Sequence, residues 1–374
     1  MRFLFAAAGT AGHINPALSI AGKMRELFPD AEFLFIGADR EMEKRLVPAE
    51  GYALKNLTMT GLARGFSREA DRYNRATVHN LAKARREARK IVDSFRPDVV
   101  IGTGGYICYP VIMAAALRRI PTVLHESNAV PGLAVKVLSG AVSRVLVAYP
   151  GIESRFNRPD RVVFTGTPVR GSFENISREK ARERLGIPEN MPLVVSFWGS
   201  LGAAQMNEKM ADFIKLNCTS RAFYHIHSTG GGDEGLRRMM DMLGERGIGS
   251  LPDFVDLRKY IDNMGTVMNA ADLVISRSGA STIAEITNLG RASILVPSPN
   301  VTNNHQEKNA LEVERAGGAV MLRESETDGK KLYDTALALV RDRERLLGMD
   351  EGAKKLGRPD AADRIAEVIL GLIH

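Results

Sequence analysis

Two kinds of hydrophobic pattern alternate along the chain. Short apolar runs, such as residues 3–7 and Leu193–Phe197, predict buried strands. Between such runs, apolar residues recur every three or four positions, as in residues 17–27, and this spacing predicts helices that pack by one face. Strands that alternate with helices predict an α/β fold built on parallel sheets.

The first helix is expected to begin at Asn15 and Pro16. Asn is a good N-cap, and Pro fits the first helical position because the N–H that it lacks would be unpaired there. This assignment leaves residues 8–13, which include Gly12 and His13, as a loop after the first strand.

Glycine-containing loops follow several of the predicted strands, at residues 8–13, 102–106, 198–203 and 277–282. The strand ends of a parallel sheet lie along one edge, where α/β folds bind their ligands. The pattern of strand and glycine loop starts again at residue 193. We therefore expect two Rossmann-like doubly wound domains, one over residues 1–168 and one over residues 169–358.

The length and composition fit a globular protein of two domains. The chain has 374 residues, of which 44% are hydrophobic and 25% charged. It has no apolar run long enough to span a bilayer, and residues 1–9 lead into a glycine loop rather than forming a signal peptide, so we expect a cytoplasmic protein. Cys108 and Cys218 lie far apart without metal-ligand spacing, and we expect no metal site.

Most of the net charge of +7 falls on residues 64–96, which hold ten basic and four acidic residues. Apolar residues from Leu81 to Phe95 repeat at helical spacing opposite the basic ones. The basic face is either a solvated helix surface or a docking surface for an anionic partner. Leu62 and Phe66 favour a membrane surface, because apolar side chains beside basic charge can insert among lipid headgroups. Nucleic acid is disfavoured, since few aromatic residues are available for base stacking.

Candidate chemistry concentrates in residues 276–309. The loop at residues 277–282 precedes a helix whose N-terminal N–H groups suit a diphosphate. Glu285, about one turn into this helix, either accepts hydrogen bonds from a ribose diol or only complements the helix dipole. The polar residues 303–309, which follow the next strand, favour a site for sugar hydroxyls.

A second set of polar residues follows or ends the predicted strand Thr122–Glu126. His125, Glu126 and Asn128 are expected to face the ligand-binding edge, and the alternative for His125 is a hydrogen-bonded core residue. A nicotinamide site is disfavoured. Asp39 lies at a suitable distance from the first loop, but that loop lacks the G-x-G-x-x-G pattern.

The segments SRSGASTIAEI at residues 276–286 and PSPNVTNNHQEKNA at residues 297–310 resemble the MurG family of peptidoglycan glycosyltransferases. GTGGY at residues 102–106 and HESNAVPGL at residues 125–133 resemble the acceptor-side loops of the same family, and the resemblance covers nearly the whole chain. Members of this family move N-acetylglucosamine from UDP-N-acetylglucosamine to the undecaprenyl-linked muramyl-pentapeptide called lipid I, and so form lipid II. The resemblance implies the GT-B fold, with two Rossmann-like domains facing across a cleft and a last helix, about residues 359–374, packing back on the first domain.

The resemblance also implies which residues bind the substrates. Ser200 would contact the diphosphate, and the backbone of Ile261 would hold the uracil edge. The implied substrate-binding residues are Thr10, Ala11, Gly12, Tyr106, Asn128, Arg170, Ser200, Ile261, Glu285 and Gln306. In its loops the chain departs from the family at Ala8, Ala11, Ser127, Trp198 and Leu201. Trp198 could simply fill the core.

The implied reaction is a transfer with inversion. The muramyl 4-hydroxyl attacks the anomeric carbon while UDP leaves from the opposite face. His13 would be the general base, because histidine titrates near neutrality, or it could only order its loop or bind an acceptor phosphate. Arg170, Ser200 and loop N–H groups would stabilise the departing diphosphate without a metal or other cofactor.

The expected partners are UDP-N-acetylglucosamine, lipid I and an anionic membrane surface bound by residues 64–96, and nucleic acid is not expected. The protein would then be peripheral, on the cytoplasmic face of the cell membrane. The alternative is another GT-B enzyme, either a glycolipid glycosyltransferase or a UDP-N-acetylglucosamine 2-epimerase. The loops GTGGY and HESNAVPG argue against that alternative.

Overall fold

The computed structural model describes residues 1–59, 68–169, 176–199 and 202–373. The chain folds into two compact units. The first unit is Met1–Gly171 together with Arg358–His374, and the second is Ser172–Gly357.

Each unit is built on one parallel sheet. The strands are β1 (Arg2–Ala6), β2 (Glu32–Ala38), β3 (Ala53–Leu57), β4 (Val99–Gly102), β5 (Thr122–Glu126), β6 (Arg144–Val147), β7 (Val162–Phe164), β8 (Leu193–Phe197), β9 (Tyr224–Ser228), β10 (Val255–Arg258), β11 (Leu273–Ser276), β12 (Ser293–Leu295) and β13 (Ala319–Met321). Their orders are β3-β2-β1-β4-β5-β6-β7 and β10-β9-β8-β11-β12-β13, and neighbouring strands are parallel. The predicted α/β class with two doubly wound parallel sheets is confirmed.

Helices connect the strands. They are α1 (Ala11–Leu27), α2 (Glu41–Ala49), α3 (Arg68–Phe95), α4 (Cys108–Ala116), α5 (Leu133–Leu138), α6 (Arg178–Leu185), α7 (Ala204–Ser220), α8 (Gly232–Glu245), α9 (Met264–Ala270), α10 (Ala280–Leu289), α11 (His305–Arg315), α12 (Gly329–Arg341), α13 (Arg343–Leu356) and α14 (Ala361–Ile373). Short 3-10 turns lie at Glu153–Arg155, Pro159–Arg161, Thr302–Asn304 and Glu324–Glu326. Within the described parts of the chain, no helix has the length and apolar character that crossing a membrane requires.

Continuous apolar strands follow from burial on both faces. All residues of β4 and β8 are buried, as is usual for parallel strands that helices cover on each side. Phe5 and Phe35 stack in the core of the first unit, with ring centroids 4.8 Å apart, and Phe213 and Phe223 lie in the core of the second. This packing fixes the register of the strands, and so fixes where their carboxyl ends place the loops.

The strand order reverses between β1 and β4 in the first sheet and between β8 and β11 in the second. At such a switch point the connections leave towards opposite faces of the sheet, and a crevice opens at the carboxyl ends of the two strands. The glycine loops after these four strands therefore lie where an α/β sheet binds ligands.

Helix α1 begins at Ala11, with Thr10 as its N-cap. The carbonyl of Thr10 accepts the backbone N–H of His13 at 3.0 Å, which starts the first turn. The predicted start at Asn15 and Pro16 is therefore wrong. Pro16 lies in the second turn, where it lacks the N–H of one helical hydrogen bond, and it is buried.

The C-terminal helix belongs to the core of the first unit. α14 packs against α1, and Ile365, Ala366 and Ile369 join the same buried cluster as Ile14 and Ala17. These apolar side chains repeat every three or four residues along α14, which is why one face of the helix is buried.

Helix α3 has two faces over its C-terminal half. Ala84, Ala88 and Val92 are buried, while Lys83 and Arg86 on the opposite side are exposed. The helix packs against α4, which in turn packs against α5. Leu62 and Phe66, the apolar residues that favoured a membrane surface, lie outside the described residues.

Candidate functional site

The first candidate site lies where β1 and β4 end. Gly9 has a φ of +100°, in the region that favours glycine. His13 is half-buried in the first turn of α1, not in a loop as expected. Its Nδ1 is 3.1 Å from the carbonyl oxygen of Thr103, which follows β4. Because a carbonyl only accepts, Nδ1 carries the hydrogen and the neutral ring presents Nε2 as its acceptor.

The loop after β4 fits closely around His13. The Thr103 hydroxyl donates to the His13 carbonyl at 2.6 Å. Gly104 and Gly105 have φ values of +115° and +84°. A Cβ on Gly104 would overlap the His13 ring, and one on Gly105 would overlap the carbonyl oxygen of Ala8. These glycines therefore permit close contact between two loops, in addition to turning the chain.

His125 does not face the ligand-binding edge, so that expectation is wrong. The residue is fully buried, with Nε2 2.9 Å from the Gly166 carbonyl and Nδ1 3.2 Å from the Ser127 hydroxyl. Burial lowers the pKa of His125 to about 4, so the ring is neutral near pH 7. Ser127, one of the departures from the family, thus serves to pair a core histidine.

Glu126 orients Asn128. This buried carboxylate accepts the backbone N–H of Asn128 at 2.9 Å, the side-chain Nδ2 of Asn128 at 2.9 Å and the N–H of Gly132 at 2.8 Å. Burial raises the pKa of Glu126, and the three N–H groups act against that rise. Glu126 is therefore a structural acid behind the half-buried Asn128.

The remaining acceptor-side candidates lie along the same edge of the first sheet. Thr10 is exposed, and Ala11, Gly12 and Tyr106 are half-buried. The guanidinium carbon of Arg40 is 5.8 Å from the centre of the Tyr106 ring. The loops after β1, β4 and β5 thus place the predicted residues of this side close to one switch point.

The second candidate site lies at the carboxyl end of β11. Helix α10 starts at Ala280 with Gly279 as its N-cap, and its first turn has no acidic residue. Glu285 therefore lies in the second turn, and the alternative that it complements the dipole from the first turn is wrong. Glu285 makes no hydrogen bond or ion pair with the residues that the structure describes. Burial raises the pKa of Glu285 to about 7.

Two serines at the junction of β11 and α10, Ser278 in the loop and Ser281 in the first turn of the helix, were not singled out from the sequence. Ser278 Oγ and Ser281 Oγ are buried and have no hydrogen-bond partner within the described chain. Buried hydroxyls normally have a partner, so these two, beside the N-terminus of α10, are exceptions. Their position on either side of Gly279, at a predicted helix start, was the signal that could have found them.

A triple glycine after β9 was also missed. Gly230, Gly231 and Gly232 all have φ values near +65°. A Cβ on Gly230 would overlap the backbone of Gly202, which belongs to the loop after β8. The two loops therefore touch backbone to backbone beside the second switch point. Three consecutive glycines directly after a strand pattern were the available signal.

The other donor-side candidates are fixed by packing. Trp198 lies in the core cluster of the second unit and so fills the core. Ile261 is buried, with 1% of the residue exposed. The Gln306 side chain accepts the N–H of Ser298 at 2.9 Å and is held beside the segment after β12. The predicted site residues Arg170 and Ser200 lie outside the described residues, and so does Leu201, which differs from the family pattern.

Two doubly wound parallel sheets, each with glycine loops at its switch point, place the chain in the GT-B class of two-domain folds. The chain belongs to glycosyltransferase family 28. Residues 3–147 match the family's N-terminal domain, and residues 193–365 match its C-terminal domain.

Curated relatives match over the full length. The chain is 43% identical over 370 residues to the UDP-N-acetylglucosamine–N-acetylmuramyl-(pentapeptide) pyrophosphoryl-undecaprenol N-acetylglucosamine transferase of Acetivibrio thermocellus. The aligned region covers 99% of this chain and 97% of the relative. It is 40% identical over 369 residues to the enzyme of the same name from Caldanaerobacter subterraneus subsp. tengcongensis, covering 99% of each. The predicted resemblance to the MurG family is confirmed.

Solved structures agree on the fold. The crystal structure of MurG from Acinetobacter baumannii superposes with a TM-score of 0.77 at 24% identity, over 99% of each chain. A UDP-GlcNAc 2-epimerase from Neisseria meningitidis, bound to UDP-GlcNAc, gives a TM-score of 0.64 at 12% identity, over 99% of this chain and 100% of that one. At these identities the likeness establishes the fold alone.

Proposed function

We propose that this chain transfers N-acetylglucosamine from UDP-N-acetylglucosamine to the muramyl 4-hydroxyl of lipid I, forming lipid II. The observation that carries the proposal is 43% identity to a transferase of that name along almost the entire chain. The fold by itself does not separate a transferase from an epimerase, because both kinds of structure superpose on this chain. The family's acceptor-side loops, GTGGY and HESNAVPGL, favour the transferase.

In the proposed mechanism, His13 is the general base. Its Nδ1 hydrogen is committed to the Thr103 carbonyl at 3.1 Å, so Nε2 is the atom that can take a proton. The muramyl 4-oxygen forms a bond to the anomeric carbon as its proton moves to Nε2. The bond from that carbon to the diphosphate breaks on the opposite face, and UDP leaves with the electron pair.

The leaving diphosphate is proposed to bind in the loop between β11 and α10. The N-terminus of α10 offers free N–H groups and the positive end of a helix dipole. The buried hydroxyls of Ser278 and Ser281 can donate to phosphate oxygens. Arg170 and Ser200, both outside the described residues, remain proposed contacts to the diphosphate on the basis of the family resemblance.

The nucleoside is proposed to bind beside the same helix. Glu285, which has no partner among the described residues, is suited to accept two hydrogen bonds from the ribose diol. The backbone of Ile261 would pair with the uracil edge, and Gln306 would contact the sugar. On the acceptor side, Tyr106 and Asn128 would contact lipid I.

We also propose that the first unit docks on an anionic membrane surface at the cytoplasmic face. The exposed basic side of α3 supports this, as do three apolar side chains on or beside α4 and α5. Leu117, Leu133 and Val137 are 58%, 62% and 54% exposed. Sedimentation with vesicles tests the proposal, because binding should need anionic lipid and weaken with salt. Equal binding to neutral vesicles would contradict it.

The deciding experiment measures UDP release from UDP-N-acetylglucosamine with and without a soluble lipid I analogue. We expect release that depends on the analogue and yields a disaccharide product. Release without acceptor, accompanied by a change at C2 of the sugar, would instead assign the epimerase activity. If no UDP were released under either condition, the proposed activity would be contradicted and only the assignments of fold and family would stand.

A further inference from the structure

A buried acid outside the two candidate sites contacts the loop after β1. Glu43, in the first turn of α2, is fully buried, although its neighbour Glu41 is exposed. One carboxylate oxygen of Glu43 accepts the backbone N–H of Gly9 at 2.9 Å. The other oxygen is buried and has no hydrogen-bond partner in the described chain. Burying a carboxylate with an unpaired oxygen costs stability, so folding alone does not account for this residue.

The fold leaves room for this side chain. Gly37, within β2, lies directly beneath Glu43. A Cβ on Gly37 would come within 3.1 Å of the Glu43 Cγ and 3.3 Å of a Leu54 methyl. The strand therefore has no side chain at the one place where it would push Glu43 away from Gly9.

Glu43 acts on the segment that places His13. Gly9 has a left-handed φ of +100°, and the next residue, Thr10, caps α1 and accepts the N–H of His13 at 3.0 Å. A hydrogen bond from an N–H to a carboxylate is stronger than one to a neutral acceptor. Holding Gly9 therefore fixes where α1 starts and where the His13 ring stands.

The same β2–α2 segment contacts a second acceptor-side loop. Arg40, three residues before Glu43, has its guanidinium carbon 5.8 Å from the centre of the Tyr106 ring. Residues 40–43 thus contact both the loop that leads into His13 and the loop that carries Tyr106.

We propose that Glu43 is a positioning residue for acceptor transfer. Through Gly9 it holds the β1–α1 connection so that His13 Nε2 meets the acceptor hydroxyl, and it does not touch substrate itself. The inference rests on the proposed function, since it assigns Glu43 a part in the reaction of His13.

The test compares Glu43→Ala and Glu43→Gln with the wild-type chain. For Glu43→Ala we expect kcat/KM for a lipid I analogue to fall by between about tenfold and about a hundredfold, because small misplacements of a catalytic group cost that much. KM for UDP-N-acetylglucosamine should stay within about twofold, because the change leaves the second unit intact. Glu43→Gln should recover most of the loss, since its amide oxygen can still accept the Gly9 N–H.

Hydrogen exchange gives a readout that does not depend on activity. The amide of Gly9 should exchange faster in Glu43→Ala than in wild type, and near the wild-type rate in Glu43→Gln. Glu41→Ala, an exposed acid on the same helix, is the matched control and should change neither exchange nor kinetics. If Glu43→Ala does not fold, Gly37→Ala is the second variant, because its methyl group would lie 3.1 Å from the Glu43 Cγ and press on that side chain without removing the carboxylate. We expect faster Gly9 exchange and a lower kcat/KM for the lipid I analogue, and wild-type values of both would overturn the proposal.

Three other results would overturn the proposal. One is a folded Glu43→Ala with the acceptor kinetics of Glu41→Ala. Another is unchanged Gly9 exchange in Glu43→Ala, and the third is a Glu43→Gln variant that loses as much activity as Glu43→Ala while Gly9 stays protected. Failure of the proposed function would look different, since the wild-type chain itself would then lack UDP release that depends on acceptor.

Discussion

At the scale of single residues, the environment of a side chain decides its chemistry. His13 and His125 both lie next to loops of the first unit, yet only His13 is partly exposed. His125 is enclosed, and both of its ring nitrogens are paired. Glu285 and Glu126 differ in a similar way, because Glu126 accepts three N–H groups while Glu285 accepts none that is described. His13, the more accessible histidine, and Glu285, which accepts no described N–H, are the proposed substrate contacts.

Replacing His13 with Asn separates a base from a residue that only orders its loop. The Asn amide nitrogen can stand near the place of Nδ1 and donate to the Thr103 carbonyl, but it cannot take a proton. We expect acceptor-dependent UDP release to fall by about 10²- to 10⁴-fold, with the melting temperature and the affinity for UDP-N-acetylglucosamine close to wild type. Turnover near wild type in His13→Asn would contradict the assignment of His13 as base.

Donor binding should depend on the protonation of Glu285. Because burial raises the pKa of Glu285 to about 7, the carboxylate that we propose as the acceptor for the ribose hydroxyls is lost as the pH falls below 7. Calorimetry with UDP-N-acetylglucosamine, whose diphosphate is esterified at both ends, should give an affinity that drops by up to about tenfold per pH unit below 7. Glu285→Gln should bind weakly at every pH, and Glu326→Gln, at an exposed acid of the same unit, should behave as wild type. If Glu285→Gln had the same pH profile as wild type, Glu285 would not be a donor-binding residue.

At the scale of elements, the two ends of the strands in the second sheet carry different groups. The carboxyl ends of β8 and β11 carry the glycine loops, and the amino end of β11 carries a buried ionic cluster. Asp272 accepts the N–H of Leu193 at 2.8 Å and pairs with Arg178 at 3.3 Å and with Arg182, both on α6. This cluster attaches α6 to the sheet at the end opposite the proposed donor site.

Replacing Asp272 with Asn should therefore affect stability first. Removing one partner of a buried ion pair leaves the guanidinium of Arg182 uncompensated, and we expect the second unit to lose about 3–5 kcal/mol of unfolding free energy. Trp198, the only tryptophan of the chain, lies in the core of that unit, so its fluorescence during urea unfolding reports the loss. Asp160→Asn, at an exposed pair in the first unit, is the control and should leave the transition unchanged. Equal transitions in the two variants would contradict the role of the cluster.

At the scale of the whole molecule, buried histidines make both units sensitive to acid. Burial lowers the pKa of His125 to about 4 in the first unit and that of His227 to about 3 in the second, where His225 is lowered as well. In the unfolded chain these rings have the ordinary histidine pKa of about 6.5 and bind protons below that pH. In the folded chain they stay neutral until the pH approaches their lowered pKa values. These histidines therefore do not change the unfolding free energy above pH 6.5, and they lower it as the pH falls from 6.5 towards 4.

His125→Gln isolates this effect in the first unit. The Gln amide can still donate to the Gly166 carbonyl as Nε2 does, but it does not titrate. Between pH 7 and pH 5, wild type should lose roughly 2 kcal/mol more unfolding free energy than His125→Gln, as followed by circular dichroism in urea. Parallel curves for the two proteins would mean that His125 takes up a proton in the folded state as readily as in the unfolded state.

The sequence by itself determined the class of fold, the division into two sheets and the loops that carry the proposed site. These follow from local patterns, because apolar runs, helical spacing and glycines after strands depend only on near neighbours. The start of α1 was misread for the same reason, since Asn15 and Pro16 form a good local signal, yet the helix begins at Ala11. Only the tertiary structure decided that Gly104 faces His13, that His125 is a core residue and that the proposed positioning acid reaches Gly9. Each of those facts joins residues far apart in the chain, and such contacts exist only after the strands are paired and their loops meet at a switch point.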